Sequence, residues 1–143
     1  YARTVKLRLM TLDRECWQLI VNGSESERLQ MLLVALMNQS PIVAEFVADV
    51  VNPARQQFKE KLSGNCWNEF VDENLRLHPE LAAFSDSSIQ KMGNNLIKAL
   101  AEAGYLDSPR RRNLQNVFLL PDVATALHRL NKAELLPILE GNA

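Results

Sequence analysis

Apolar residues recur with helical spacing along most of this chain. Leu29, Leu32, Leu33, Leu36 and Met37 follow one another at intervals of three and four, the stripe of an amphipathic helix. Ser24-Glu25-Ser26-Glu27 precedes it as a capping box, in which the serine hydroxyl accepts from an early amide and the glutamate reaches back to the cap. An earlier helix through Trp17, Leu19 and Ile20 is capped by Asp13 and ended by Asn22-Gly23. Ser40-Pro41 repeats the start signal, a cap residue followed by proline at the first helical position. The helix it opens carries Val43, Phe46, Val47, Val50 and Val51, and Asn52-Pro53 kinks or restarts it towards Phe58 and Leu62. After a break at Ser63-Gly64-Asn65, Trp67, Phe70, Val71 and Leu75 mark another helix that stops before His78-Pro79.

The last third has a different rhythm. Pro79 to Phe84 predicts a short helix, Phe84 to Ser87 a tight connection with cap residues, and Ser87 to Ala103 a longer helix closed by Gly104 as a left-handed cap. Tyr105-Leu106 and Val117-Phe118-Leu119 flank Asp107-Ser108-Pro109-Arg110-Arg111-Arg112-Asn113 and predict a small hairpin with a basic tip. Pro121-Asp122 opens a helix through Val123, Leu127 and Leu130, and a last turn around Leu135 and Leu136 meets Pro137. Arg3 to Met10 is a basic amphipathic stretch whose alternation also fits a strand. The pattern predicts an all-α, compact helical bundle with helix-turn-helix elements. Residues 1–78 form a helical subdomain and 79–143 a helix-turn-helix subdomain, winged if the hairpin forms, the two packed as one globular unit.

Composition supports one core: 47% of the 143 residues are apolar, with only five glycines and six prolines. No apolar run approaches the roughly 18–20 residues that span a bilayer, so no membrane association and a cytoplasmic location are expected. The chain opens at Tyr1 rather than methionine, which leaves room for an upstream segment. Cys16 and Cys66 cannot build a disulfide framework or a zinc site alone, and read as small buried hydrophobes. His78 reads as a loop residue and His128 as a helix-surface one, with no metal-ligand spacing between them. No Gly-rich phosphate loop or nucleophile elbow is present, and nothing pairs the carboxylates. The expectation is no enzyme, no cofactor and no metal.

Charge narrows the remaining possibilities. Sixteen basic and seventeen acidic residues leave a net charge of −1, so nucleic acid cannot be held by bulk charge and any such binding needs a local patch. On the predicted helix Ser87 to Ala103, Ile89, Met92, Leu96, Ile97 and Leu100 form the apolar stripe, and Ser87, Gln90, Lys91, Asn94 and Lys98 fall opposite. Amides and lysines bond base edges and phosphates; the alternative is an ordinary solvated face. Arg110, Arg111 and Arg112 crowd like charges at a turn, and their planar forks of donors suit phosphate; the alternative is a flexible solvated loop. Arg3, Lys6 and Arg8 make a second basic group. A third, Arg55, Lys59 and Lys61, alternates with Glu60 and reads as a helix face.

Four stretches then carry a resemblance: Ala44-Glu45-Phe46-Val47-Ala48-Asp49-Val50-Val51, Trp67-Asn68-Glu69-Phe70-Val71, Phe84-Ser85-Asp86-Ser87-Ser88-Ile89-Gln90-Lys91-Met92 and Leu100-Ala101-Glu102-Ala103-Gly104-Tyr105-Leu106. In this order and spacing the chain resembles the BrxA family of bacteriophage exclusion (BREX) defence systems, without some tens of residues that begin other members. The resemblance implies a compact helical protein with helix-turn-helix elements, an intracellular role in phage defence and DNA binding, with catalysis left to partner proteins. It transfers no active-site motif, so the binding residues rest on charge and helix face. The leading expectation is a monomer that binds double-stranded DNA and meets other BREX subunits. The alternatives are a protein adaptor that assembles the defence complex, and RNA binding in the manner of the antitermination factor NusB, whose helical fold is loosely similar.

Overall fold

The computed structural model describes residues 14–141. The Asp13 cap and the basic stretch with Arg3, Lys6 and Arg8 lie outside the described residues. Eight α-helices are described: α1 (Arg14–Asn22), α2 (Glu25–Gln39), α3 (Pro41–Phe46), α4 (Asn52–Gln56), α5 (Cys66–Asn74), α6 (Asp86–Glu102), α7 (Pro121–Arg129) and α8 (Leu135–Glu140). A 3-10 turn, Pro79–Ala83, precedes α6, and among the described residues extended pairing is limited to two isolated antiparallel bridges. The expected all-α class is the observed one.

The centre of the packing is α2. Its capping box forms as the sequence dictates: Glu27 N–H donates to Ser24 Oγ at 3.1 Å, and Ser24 N–H to Glu27 Oε1 at 3.0 Å. Met31 and Leu33 to Met37 are buried, and the helix packs on α1, α3, α6 and α7. Gln30 is buried in the same stripe because its amide closes a distant segment. Its Nε2 donates to Phe118 O (3.1 Å), and its Oε1 accepts from Leu120 N–H (3.0 Å), just before α7.

At Asn52-Pro53 the helix from Pro41 restarts, as expected, but through a change of register. Pro53 lacks the amide that would bond Asp49 O, and the register widens into a π-helical turn over Val47–Val51, with Asn52 N–H donating to Val47 O. The helix then ends at Gln56, short of the expected Phe58 and Leu62. Phe58 stands almost wholly exposed at φ +58°, while Leu62 is buried on an extended segment.

A wedge joins α5 to α6. Trp67, Phe46 and Phe70 cluster with ring centroids 5.3–5.9 Å apart, two of the three pairs edge to face. The Trp67 indole lies against the backbone of α6, its Nε1–H donating to Ile89 O at 3.0 Å. A Cβ at Gly93 would stand only 2.3 Å from Trp67 Cδ1, so position 93 tolerates no side chain while the indole is in place.

Polar staples fix the remaining elements. Tyr105 Oη donates to Leu139 O at 2.6 Å, and burial pushes the phenol pKa up to about 12. Asn52 Nδ2 donates to Ile138 O and Gln56 Nε2 to Gly141 O, holding α8 on α4. Both cysteines are buried, as their context predicts. His78 does lie between helices, but its imidazole is gripped by Glu80 (Nδ1···Oε1 3.1 Å) and Glu45 (Nε2···Oε2 2.5 Å), tying α3 to the 3-10 turn. No single described helix is long and apolar enough to cross a membrane. Among the described residues, one pair of helical stretches has sufficient combined length, 25–39 with 41–56, and it is bent by 112°.

Two stability predictions follow from these contacts. Gly93→Ala displaces the indole and costs about 1–3 kcal/mol or more, whereas Gly64→Ala, with nothing within 4 Å, stays within about 0.5 kcal/mol; urea denaturation of both variants measures the contrast. Hydrogen bonds to Glu80 and Glu45 raise the His78 pKa above its ordinary 6.5. The stability this supplies is complete below pH 6.5 and is lost as pH rises through the elevated value. Melting temperatures of the parent and His78→Gln across pH 6–9 should therefore converge towards the alkaline end.

Candidate nucleic-acid interface

The wedge decides which face of α6 looks outward. Gly93, Leu96, Ile97 and Leu100 are buried, with Ile89 and Met92 half-buried beside them. Ser87, Gln90, Lys91, Asn94 and Lys98 are all exposed, as the sequence pattern expects, and Asn95 joins them. The helix is capped by Ser85, whose Oγ accepts from Ser88 N–H at 3.1 Å. On the exposed face Gln90 Nε2 donates to Asn94 Oδ1 at 3.2 Å, one turn along.

A tight basic loop follows α6 through Gly104 at φ +94°, the left-handed position expected of it. The register of the pairing differs from the expected one. Leu106 pairs with Leu114, not with the segment 117–119, and Gln115 N–H donates to Tyr105 O. Residues 117–119 run on beyond the loop to the Gln30 clasp. A third segment joins from the other side: Lys61 pairs with Asn113, Leu62 N–H donates to Arg112 O, and Leu114 N–H to Glu60 O. Lys59 and Lys61 therefore sit on a short extended piece alongside the loop, not on the helix face expected of them, because the helix has ended at Gln56. The Lys59-Glu60-Lys61 alternation just before Ser63-Gly64 was the available signal.

Within the loop the charges divide into two kinds. The Asp107 carboxylate accepts from Ser108 N–H (2.7 Å), Asn113 N–H (2.9 Å) and Asn113 Nδ2 (2.8 Å). Desolvation acts to raise its pKa, but these bonds and the Arg111 charge outweigh it and hold the group below the ordinary carboxylate value. Arg112, at φ +58°, turns its guanidinium inward to Pro109 O (3.0 Å), Ser63 O (3.2 Å) and Gly64 O (3.4 Å), with Cys66 Sγ 3.8 Å away. Burial raises the Cys66 pKa despite that neighbour. Arg112 is thus committed to holding the loop against the start of α5. Arg110 and Arg111 are exposed, and their guanidinium groups donate to no described protein atom.

Comparison with known proteins adds a family. A family model described as BrxA matches residues 1–131. The chain is 64% identical over 141 residues to the BREX protein BrxA of Escherichia coli O9:H4 (strain HS), which covers 99% of this chain and 66% of that protein. It is 24% identical over 125 residues to the BREX protein BrxA of Paramagnetospirillum magneticum (strain AMB-1), covering 87% of this chain and 63% of that one. It therefore spans slightly less than two thirds of the length of these relatives. The crystal structure of an uncharacterized protein from Magnetospirillum magneticum shares the fold, with a TM-score of 0.85 at 22% identity, over 95% of this chain and 72% of that one.

The division of the arginines is testable by stability. Arg112→Ala removes charge-assisted bonds to three carbonyls and should cost about 1–3 kcal/mol, with faster hydrogen exchange at the Leu62 amide. Arg110→Ala should leave both unchanged.

Proposed function

The chain belongs to the BrxA family, and from that premise we propose that it is a non-enzymatic DNA-binding component of a BREX bacteriophage-defence system, holding duplex DNA mainly by its phosphates. The observation that carries this reading is the order of elements around α6. Helical residues 41–56 are followed by the extended piece at 60–62, then α5, α6 and the loop 105–115, whose return segment pairs with that extended piece. With the 3-10 turn Pro79–Ala83 before α6, this order supports reading the region as a winged helix-turn-helix, with α6 as the helix offered to a major groove and Arg110 and Arg111 at the wing tip. A wing braced by Arg112 and Asp107 presents its two free guanidinium groups without ordering a loop on binding. Lys59 and Lys61 add charge alongside, and Lys91 and Lys98 add it on α6.

One observation favours a protein adaptor instead. Phe118 is 87% exposed although its own carbonyl is clasped by the buried Gln30. An aromatic ring held in water on a fixed backbone suits a partner protein.

Binding of duplex DNA should be salt-dependent. Replacing both Arg110 and Arg111 by alanine should weaken it and flatten the slope of log K against log salt by up to about two units, at roughly 0.9 per phosphate lost. Affinity and slope unchanged in that double variant would remove the wing from the interface. Failure of the chain to bind duplex DNA, together with co-purification of another subunit that Phe118→Ala abolishes, would establish the adaptor reading; preference for structured RNA over duplex would establish the third.

A further inference from the structure

We infer that Phe58 is a further DNA contact, an apolar wedge that meets the duplex at a base step beside the wing. The inference rests on the DNA-binding reading of the loop 105–115 and deepens it by adding a contact that is not ionic.

Three of the described helices end in the same way. After α6, Gly104 N–H donates to Ala101 O and Tyr105 N–H to Leu100 O, with Gly104 at φ +94°. After α7, Asn131 N–H donates to His128 O and Lys132 N–H to Leu127 O, with Asn131 at φ +59°. After α4, Phe58 N–H donates to Arg55 O (3.0 Å) and Lys59 N–H to Ala54 O (2.9 Å), with Phe58 at φ +58°. Glycine takes this left-handed position without a steric penalty, and asparagine tolerates it. A bulky aromatic residue there is an outlier.

Nothing within the chain compensates for the exception. Phe58 is 92% exposed, so its ring gains almost no burial against the rest of the protein. The two backbone bonds at the end of α4 fix the turn, which holds the ring out in water. Strain of this kind persists at positions that serve a contact with a ligand.

The surroundings favour a polyanion as that ligand. Lys59 and Lys61 follow at once and are exposed, with Glu60 the one acid between them. Their segment is bonded to the returning arm of the basic loop: Lys61 pairs with Asn113, and Leu62 N–H donates to Arg112 O. At about 3.3 Å per residue, Phe58 lies no more than roughly 20 Å from Arg111 along this edge, and one turn of duplex is about 34 Å long. A single duplex can therefore meet the guanidinium groups, the two lysines and the phenyl ring together. Phenylalanine that enters DNA beside cations partly unstacks a base step and bends the helix. Phe118 differs, because its chain neighbours are Val117 and Leu119 and the groove beside it holds Glu140 as well as Arg55.

The test uses the full chain and a duplex carrying 2-aminopurine at a TA step, which unstacks readily; fluorescence, affinity, salt dependence and melting temperature are read together. The parent should brighten the probe on binding. Phe58→Gly should melt about 2–6 °C higher, because the strain is gone. The same variant should bind the duplex at least about fivefold more weakly and leave the probe dark. Its slope of log K against log salt should match the parent, since no cation is removed. Phe58→Leu, an aliphatic wedge, should recover part of both the affinity and the fluorescence. Unchanged affinity in Phe58→Gly, or a parent complex whose probe stays dark, overturns the inference and leaves the DNA-binding reading in place. Unchanged duplex affinity in Phe58→Gly with loss of a co-purifying subunit overturns it too and assigns the ring to a protein. Absence of any duplex binding overturns both readings.

Discussion

Trp67 can lie against α6 only because residue 93 has no side chain, and the orientation of everything around that helix descends from this contact. The indole fills the space a Cβ would occupy, and its N–H reaches a carbonyl one turn earlier. Rotation of α6 about its axis would break both at once. Gly93 is a poor helix former by up to about 1 kcal/mol relative to alanine, and here the loss is offset by burying an aromatic ring that also meets Phe46 and Phe70. With the glycine pinned inward, Leu96, Ile97 and Leu100 follow it into the core. Gln90, Lys91, Asn94 and Lys98 are forced into solvent. The polar strip is in this sense a consequence of a packing decision made on its opposite side.

The basic loop obeys a second economy. Three consecutive arginines at a turn repel one another, and the structure relieves that by giving each a different situation. Arg112 is drawn under the loop to three carbonyls, and Asp107 supplies a carboxylate near Arg111 while tying Asn113 back across the turn. The side chains of Arg110 and Arg111 remain exposed. The positive φ of Arg112 is the cost of this arrangement in backbone strain, of order 1–3 kcal/mol for a residue other than glycine. The bonds it makes to the 63–64 turn explain why the strain persists.

What the sequence made legible was local. The capping box at Ser24, the start at Pro41, the left-handed Gly104 and the polar face of α6 all follow from chemistry within one turn of chain, and all are observed. What it hid depended on partners far along the chain. Leu114 instead of Val117 pairs with Leu106 because the segment 60–62 occupies the other edge of residues 112–114, and no local pattern announces that strand. The third basic group was read as helix because Pro53 disguises its π turn as a mere interruption. Gln30 stands in the apolar run of α2 because its partners are 88 and 90 residues away. An isolated glycine within the stripe of α6 was the one visible sign that something packs against the helix there.

The same geometry bears on the proposed DNA-binding reading of a chain of net charge −1. Six lysine and arginine side chains, at positions 59, 61, 91, 98, 110 and 111, are exposed on or beside the loop 105–115 and α6, while Asp72 and Asp86 interrupt the field near the start of the helix. A surface divided in this way cannot engage phosphates along its whole length. If about three contacts form, affinity falls roughly fortyfold between about 50 and 200 mM salt, so charge alone makes a weak and salt-sensitive grip. Under the DNA-binding proposal, a lasting hold would then need contacts that salt does not screen, and the loop braced by Arg112 and Asp107 offers a fixed shape for them. On that proposal, near-neutral composition limits indiscriminate binding and leaves selectivity to the fixed shape of the surface.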